Sequence, residues 1–424
     1  MIGNKSIFDY KIKNFCAVGD GAHASIERQM NGVMYLTSKN FKKSGIDLSK
    51  VDYISEADFE KYFEKNKSAI VKPSVGDVVF GIIGSIGTPY VMRQTDRFGL
   101  SSSVGIIRPN QDISPKYLYY FMTSSPFQLA VEAMKSGSAQ GFLSLEMIRN
   151  LPLIKYDIKV QQKIAAILSS YDDLIENNQR RITLLEKMAE EIYREWFVRF
   201  RFPGYQSAEF EKGIPKGWNV KKIGDIYNTS SGGTPSRKNL NNYGGDINWL
   251  KTGELKNIFA FGSEEKITLL GLESSSAKIF PVNTVIIAMY CAMADITILA
   301  EESSTNQACC AFLPKHKYLS HVYTYYLIKF AQNHMIQFAH GAAQQNLSQD
   351  LIKGFKILVA KESIIREFTE KLTPIFDQIQ SIAKCNSNLI KTRELLLPRL
   401  ISGKLSVENL DSQFPPSMCE DGAA

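Results

Sequence analysis

Amide side chains follow glycines in two short segments, GSAQGF at residues 137–142 and GAAQQN at residues 341–346. An Asn or Gln side chain carries a donor and an acceptor on one planar group, which matches the edge of an adenine base. Glycine lets the backbone approach a ligand closely, so both segments are candidate nucleic-acid contacts. The amides concerned are Gln140, Gln344, Gln345 and Asn346.

Hydroxyl and cationic side chains form a second group of candidates, since such groups hold the phosphate oxygens of nucleic acids. In the second half of the chain they are Thr234, Ser236, Arg237, Lys238 and Lys251. In the first half they are Ser38, Lys39, Arg93 and Arg97. For each of these residues, an ordinary solvated surface position is the alternative.

Motifs that would make the chain a catalyst are missing from the sequence. It has no DPPY- or NPPY-like segment to orient an exocyclic amine for methylation, and no GxxxxGK[ST] loop for nucleotide phosphates. The histidines lack the spacing of metal ligands, so surface or packing roles are expected for them. They are His23, His316, His321, His334 and His340. We therefore expect no catalytic residue, metal or cofactor in this chain.

The composition is that of a mildly basic globular protein. Hydrophobic residues make up 44% of the 424 residues and the formal net charge is +7, which permits nucleic-acid binding without requiring it. No apolar run reaches the length of a membrane span, and the amino-terminal segment lacks the apolar core of a signal peptide. The six cysteines include no CxxC pair, so reduced thiols and a cytoplasmic location are expected.

The amide segments belong to a longer internal repeat. GSAQGFLSLEMIRNLPLI, beginning at Gly137, returns as GAAQQNLSQDLIKGFKIL, beginning 204 residues later at Gly341. This offset is close to half the chain, so it indicates a duplicated half-protein and not a solenoid of short units. A duplicated chain can carry pseudo-twofold symmetry, which suits a partner with its own approximate dyad, such as duplex DNA.

The repeat also separates the amides into two kinds. Gln140 and Gln344 are shared by the two copies, which favours a common framework contact. Gln345 and Asn346 have no amide counterparts in the first copy, so they are the better candidates for sequence-specific contacts.

A long amphipathic helix is predicted after each copy of the repeat. Apolar residues recur there at alternating steps of three and four, which average the coiled-coil period of about 3.5 residues. Because the two stripes match at the same offset, we predict that the helices pair with each other as an antiparallel coiled coil. The predicted seam positions are Ile164, Tyr171, Asn178, Leu185, Ile192, Phe368, Ile375, Ile382, Leu389 and Leu396.

Polar and proline residues interrupt these stripes. The seams contain one amide each, Asn178 and Asn386. A buried Asn fixes register and orientation at some cost in stability, and a polar residue tolerated beside a gap is the alternative. Pro374 cannot donate to the helix ladder, so an interruption of the second helix is expected there. Pro398 is expected to bend or end that helix.

Alternating apolar residues with glycine and proline turns predict an α/β (α+β) fold for both globular parts. VMYLTSKNF at 33–41 weakly matches INWLKTGEL at 247–255, and GDVVFGIIGSIG at 76–87 weakly matches NTVIIAMYCAMA at 283–294. The expected division is a first globular domain at 1–155, a helical spacer at 156–200, a linker at 201–213, a second globular domain at 214–358, a second helical spacer at 359–402 and a disordered tail at 403–424.

This order of domains and helices resembles the specificity subunit of Type I restriction–modification enzymes. IPKGWNVKKIGDIYNTSSGGTPSR at 214–237 is similar to the opening of a target recognition domain in that family, and INWLKTGEL to the segment after it. QQKIAAILSSYDDLIENNQRRITLLEKM at 161–188 resembles the first central helical region. REWFVRF and LLLPRLISGKL resemble the ends of the two helices. The first domain lacks the IPKGW entry and the GGTPS loop, and has DGAHAS at 20–25 in a comparable place.

The resemblance implies a non-catalytic reader of double-stranded DNA with two target recognition domains. Each domain would bind one half of a split target, and the helices would set the gap. The implied partners are two adenine methyltransferase (modification) subunits and, through them, restriction and translocase subunits. S-adenosylmethionine, ATP and Mg²⁺ would bind to those partners. A DNA-binding adaptor for another defence effector is the alternative, while a single-chain methyltransferase or nuclease conflicts with the missing motifs.

Overall fold

The computed structural model describes residues 10–42, 45–65, 70–136, 141–290, 295–341, 347–411, 415 and 418. The chain divides into two compact units. Unit 1 consists of Met1–Glu176 and Leu389–Ala424, and unit 2 of Asn177–Asn388. Each unit therefore contains one globular domain together with a part of each long helix.

Unit 1 has a domain of short strands and helices, followed by the start of a long helix. The strands are β1 (Tyr10–Lys11), β2 (Cys16–Asp20), β3 (Val33–Leu36), β4 (Phe41–Lys42), β5 (Gly45–Ile46), β6 (Asp52–Ile54), β7 (Val78–Gly81), β8 (Pro89–Val91), β9 (Phe98–Leu100), β10 (Val104–Pro109) and β11 (Pro152–Leu153). The helices are α1 (Glu56–Phe59), α2 (Pro115–Thr123), α3 (Ser125–Ser136), α4 (Leu145–Arg149) and the long α5 (Ile158–Tyr193).

Unit 2 has a domain of the same kind. Its strands are β12 (Phe210–Glu211), β13 (Ile214–Pro215), β14 (Asn219–Lys222), β15 (Tyr227–Ser231), β16 (Tyr243–Leu250), β17 (Phe259–Ala260), β18 (Lys266–Ile267), β19 (Val285–Ala288), β20 (Ile296–Leu299), β21 (Ser304–Thr305), β22 (Cys309–Pro314) and β23 (Lys356–Val359). Its helices are α6 (Ile223–Ile226), α7 (Leu269–Glu273), α8 (His321–Gly341), α9 (Gln349–Gly354) and the long α10 (Glu362–Ile401).

The two domains share one sheet topology. The main sheet has the order β2-β10-β7-β8 in unit 1 and β15-β22-β19-β20-β17 in unit 2, which adds a single edge strand. The second sheet has the order β6-β3-β9 in unit 1 and β18-β16-β21 in unit 2. Its central strand has one antiparallel and one parallel neighbour in both units. The predicted mixed α/β fold is confirmed.

Both weak sequence matches fall on equivalent strands. VMYLTSKNF contains β3 and INWLKTGEL contains the end of β16, while GDVVFGIIGSIG contains β7 and NTVIIAMYCAMA contains β19. All four residues of β7 and all four of β19 are buried. Their β-branched residues suit a strand that is covered on both faces, so a duplicated core accounts for the matches.

The strongest part of the repeat forms a structural anchor in each domain. The Leu143 N–H donates to the Ile82 carbonyl at 3.0 Å, and the Leu347 N–H donates to the Met289 carbonyl at 3.0 Å. The serines that follow cap short helices, because Ser144 Oγ accepts from the Met147 N–H and Ser348 Oγ from the Leu351 N–H. The repeated Leu-Ser pair thus fixes the end of each amide segment against the main sheet.

In unit 1 the long helices run antiparallel. The Tyr156 hydroxyl, just before α5, donates to the Ile401 carbonyl at the end of α10. Further along α5, Asp172 forms an ion pair with Arg393, which comes earlier in α10. Ile164 and Leu400 lie in the apolar core of this unit, with Leu396 packed against it.

In unit 2 the helices are antiparallel as well. The Asn178 Nδ2 donates to Asn386 Oδ1 at 2.9 Å, and the rings of Trp196 and Phe368 pack edge to face with centroids 5.7 Å apart. The predicted antiparallel pairing of the helices is confirmed. The other seam positions here, Leu185, Ile192, Ile375 and Ile382, are partly buried against the apolar core.

Two expectations for the chain after residue 370 differ from the structure. α10 continues through Pro374, so the expected interruption is absent, although the proline removes one backbone donor. Pro374 faces solvent, and the side chains beside it on the seam side keep the helix packed. In the expected disordered tail, Val407 and Met418 are buried in the core of unit 1.

Candidate nucleic-acid interface

A loop leaves the end of an equivalent strand in each domain, and glycine makes its path possible. The Ala22 N–H, after β2, donates to the Leu100 carbonyl at 2.8 Å. The Gly233 N–H, after β15, donates to the Thr305 carbonyl at 2.9 Å. A Cβ atom on Gly21 would lie 2.2 Å from the Leu100 oxygen, and one on Gly232 would lie 2.0 Å from the Thr305 oxygen. DGAHAS and SGGTPS therefore occupy equivalent places.

In unit 2 this loop leads to an arginine held against aromatic rings. The Arg237 guanidinium lies 4.1 Å from the ring centroid of Tyr243 and 5.4 Å from that of Trp249. It donates to both carboxylate oxygens of Glu265, one at 2.8 Å. These hydrogen bonds lower the pKa of the Glu265 carboxyl and raise the pKa of Arg237. Trp249 Nε1 also donates to the Gly233 carbonyl at 2.9 Å, which fixes the loop to the ring.

In unit 1 the corresponding arginine is Arg28. Its guanidinium lies 4.0 Å from the ring centroid of Tyr35. Its Nε donates to Asp52 Oδ2 at 3.3 Å, and an Nη donates to the Ile26 carbonyl at 2.7 Å. Arg28 is a half-exposed cation beside the glycine loop, as Arg237 is in unit 2.

These two clusters occupy equivalent positions in the sheets. Tyr35 of β3 pairs with Asp52 of β6, and the Trp249 N–H of β16 donates to the Glu265 carbonyl beside β18. Each domain thus sets an arginine over an aromatic residue of the central strand and against a carboxylate of the antiparallel neighbour. We call them the arginine clusters: Arg28, Tyr35 and Asp52 in unit 1, and Arg237, Trp249 and Glu265 in unit 2.

Sequence reasoning identified Arg237 and missed Arg28. Arg28 lies three residues beyond DGAHAS, whereas Arg237 directly follows GGTPS, so the spacing differs. Two features of the sequence could have identified Arg28. A cation follows each glycine loop within a few residues, and the matched strand segments each carry an aromatic residue.

A short turn follows the central strand in both domains and carries a lysine. Thr37 begins the turn at Ser38–Asn40, and its N–H donates to Asn40 Oδ1 at 2.9 Å. Lys251 begins the turn at Thr252–Glu254, and its N–H donates to Glu254 Oε2 at 2.8 Å. Lys39 is exposed. The Lys251 ammonium lies 3.7 Å from Glu265 Oε2, so it adjoins the arginine cluster of unit 2.

Ser38 has a different role from its neighbour. It is buried, and its hydroxyl donates to the Ile83 carbonyl at 2.6 Å. The adjacent Ile82 carbonyl accepts from Leu143, at the end of the first amide segment. Ser38 therefore ties the lysine turn to the segment that carries Gln140, and its hydroxyl is already used within the fold.

The remaining candidates of unit 2 lie on the glycine loop itself. Thr234 is exposed and its hydroxyl is bonded to the Gln307 side chain. Ser236 and Lys238 are exposed on either side of Arg237. These residues surround the arginine cluster, so the structure brings this predicted group together.

Arg93 and Arg97 lie elsewhere. β3 and β9 are parallel, and Lys39 follows the end of β3 whereas Arg97 precedes the start of β9. The two sites are therefore at opposite ends of this strand pair. Arg97 also donates to both carboxylate oxygens of Glu56, at 2.8 and 2.7 Å, which lowers the pKa of Glu56. The structure does not bring Arg93 and Arg97 together with Lys39.

The predicted amides Gln140, Gln344, Gln345 and Asn346 lie outside the described residues. The described part of the chain does, however, fix where each amide segment ends, at Leu143 and Leu347. Nowhere in that part do three His, Cys, Asp or Glu side chains converge into a group able to hold a metal ion. Across the same residues, no helix combines the length and apolar character that crossing a bilayer requires.

Comparison with known proteins gives one consistent result. The family model described as Type I restriction modification DNA specificity domain matches residues 10–187 and again 215–390. The chain is 26% identical over 313 residues to the Type I restriction enzyme MjaIX specificity subunit of Methanocaldococcus jannaschii, covering 72% of each chain. It is 24% identical over 411 residues to the HindI specificity subunit of Haemophilus influenzae, covering 80% of this chain and 88% of that one.

A solved structure shares the fold. The Type I restriction–modification S subunit from M. genitalium has a TM-score of 0.58 at 14% identity, covering 94% of this chain and 97% of that one. The two family matches together cover most of the chain, and each contains one arginine cluster. The chain therefore belongs to the Type I restriction–modification DNA specificity family, as a specificity subunit that recognises DNA sequence and acts within a restriction–modification complex.

Proposed function

We propose that each recognition domain reads one half of a split double-stranded DNA target, with residues 1–155 reading one half and residues 214–358 the other. The observation that carries this proposal is the pair of equivalent arginine clusters beside the glycine loops. The scaffold is the same in both domains, while the exposed residues around it differ. The exposed residues of DGAHAS are His23 and Ser25, whereas those of SGGTPS are Thr234 and Ser236.

The arginine clusters would bind phosphate groups of the DNA backbone. Arg237 is oriented before DNA arrives, because the Tyr243 ring and the Glu265 carboxylate both hold its guanidinium. A planar guanidinium suits phosphate oxygens, and an oriented side chain loses less conformational freedom on binding. Lys39, Lys238 and Lys251 would add positive charge, and Thr234 and Ser236 would donate from hydroxyl groups. Arg28 takes the place of Arg237 in the first domain.

The amide segments would supply the contacts to base edges. Gln345 and Asn346 are proposed to read bases in the second half-site, since an amide can pair with adenine through a donor and an acceptor. Gln140 and Gln344 are proposed to make a contact common to both domains. The Leu143 and Leu347 anchors support this, because they fix the ends of both segments to the same place in the main sheet.

The long helices would set the gap between the half-sites and dock the partner subunits. The proposed partners are two adenine methyltransferase subunits, with restriction and translocase subunits bound through them. Large apolar side chains are exposed on the described helices, which suits docking. They are Leu174, Leu184 and Met188 on α5 and Leu395 on α10. In this proposal S-adenosylmethionine, ATP and Mg²⁺ bind to the partners.

The test is a genome-wide map of methylated adenines in a host that lacks other methyltransferases. The chain would be expressed with its modification subunit, beside a control without the chain. We expect a split motif with a fixed gap that appears only when the chain is present. An assembled complex that methylates nothing in a chain-dependent way would contradict the proposal and favour an adaptor for another effector.

A further inference from the structure

Two neighbouring layers of facing residues in the helix pair of unit 2 differ in polarity, since one consists of two asparagines and the other of two isoleucines. Asn178 of α5 donates to Asn386 of α10, and Asn386 is 7% exposed. Ile182 lies four residues further along α5, and Ile382 lies four residues earlier in α10. Because the helices are antiparallel, this register places Ile182 opposite Ile382. Ile182 is buried in the apolar core of the unit, and Ile382 is partly buried against it. An amide thus faces an amide, and an isoleucine faces an isoleucine.

The internal repeat aligns each asparagine of one helix with an isoleucine of the other helix. The residue 204 positions after Asn178 is Ile382, and the residue 204 positions before Asn386 is Ile182. If α5 paired with the α5 of a second chain in the same register, Asn178 of each chain would face Ile182 of the other. If α10 paired with another α10, Asn386 would face Ile382. Pairing between identical helices therefore mismatches both layers.

A mismatched layer is unfavourable for a physical reason. The side chain of Asn loses water when the seam closes, and isoleucine offers it no donor or acceptor in return. One polar residue at a seam position is enough to select register and partner in coiled coils. The two matched layers within one chain and the two mismatched layers between chains therefore both favour pairing within one chain.

We propose that Asn178, Ile182, Ile382 and Asn386 select the pairing of α5 with the α10 of the same chain over pairing with a second copy. The pairing itself follows from the contacts above. Its consequence, that two different recognition domains stay joined and the target stays asymmetric, rests on the proposed function. The test measures the mass of the protein in the absence of DNA, so its failure is distinct from a failure of the proposed function.

The test variant is full-length Asn178→Ile/Ile382→Asn, which keeps the composition of the chain. Within one chain both layers then become Asn opposite Ile. Between two chains, α5 pairs with α5 through isoleucines only, and α10 pairs with α10 through asparagines only. We expect the wild-type chain to be a monomer by light scattering and the variant to shift toward a dimer. The dimer dissociation constant should fall by at least about tenfold, which corresponds to about 1.4 kcal/mol.

A matched control interchanges asparagine and isoleucine on both helices. The variant Asn178→Ile/Ile182→Asn/Ile382→Asn/Asn386→Ile contains more substitutions but restores an amide pair and an isoleucine pair within the chain. We expect it to be monomeric, with a melting temperature close to that of the wild type. A double variant that unfolds beside a monomeric quadruple variant also supports the proposal. A double variant that stays a wild-type-like monomer overturns it, as does a quadruple variant that dimerises or unfolds.

Discussion

Arg237 donates two hydrogen bonds to Glu265 while its guanidinium lies over the ring of Tyr243. Arg28 is held in the same manner by Asp52 and Tyr35 in the other domain. The duplication has thus preserved an oriented cation in each domain, although the residues that hold it have changed.

Replacing Arg237 with alanine should weaken DNA binding and reduce its salt dependence. If Arg237 contacts one phosphate, the slope of log K against log salt should fall by about one. The measurement is a titration of target duplex with the assembled complex at several salt concentrations. Arg366→Ala is the matched control, because Arg366 forms an exposed ion pair with Glu362 on α10 and is not part of the arginine cluster. An unchanged slope for Arg237→Ala would rule out the phosphate contact.

Replacing Gly232 with alanine should destabilise the second domain. The new Cβ would lie 2.0 Å from the Thr305 backbone oxygen, so the loop or the strand must move. We expect a loss of about 1–3 kcal/mol in the free energy of unfolding, measured with urea. Gly253→Ala is the control, since no heavy atom lies within 4 Å of a Cβ there, and it should change stability by less than about 0.5 kcal/mol. Equal effects at both positions would contradict the close approach.

Lowering the pH should destabilise the chain through His321. The burial of this residue lowers its pKa below the usual 6.5, with Asp377 acting in the opposite direction. As the pH falls below about 6.5, the unfolded state takes up a proton before the folded state does, so stability decreases. Urea unfolding at about pH 7.5 and about pH 5.5 should show a smaller loss for His321→Gln than for the wild type. His316→Gln, at an exposed position, should lose as much stability as the wild type. If His321→Gln also loses as much stability between the two pH values as the wild type does, His321 is not responsible for the loss.

Lengthening both helices should lengthen the gap in the target. One heptad inserted after Arg180 and another after Lys384 would keep Asn178 opposite Asn386 and Ile182 opposite Ile382. Each insertion adds about 10 Å of helix, or about three base pairs of duplex. The methylated-adenine map should then show unchanged half-sites with a wider gap. Altered half-sites would show that the helices do more than set the spacing.

The helices and the repeat were predictable because their signals are local. A 3.5-residue stripe needs only the order of residues along one segment, and the Leu-Ser anchors recur at a fixed offset. Arg28 was missed because its site forms only when β3 pairs with β6, which brings Asp52 to Tyr35. The expected break at Pro374 failed for a related reason, since packing along the seam outweighs the loss of one backbone hydrogen bond.

If the two domains read their half-sites independently, one half-site can be exchanged without the other. The decisive experiment exchanges residues 219–359, from β14 to β23, for the equivalent segment of a family member with a known target. A methylated-adenine map should then show one half-site replaced by that of the donor, with the other half-site and the gap unchanged. A map in which both half-sites change together would show that the two domains do not read their half-sites independently.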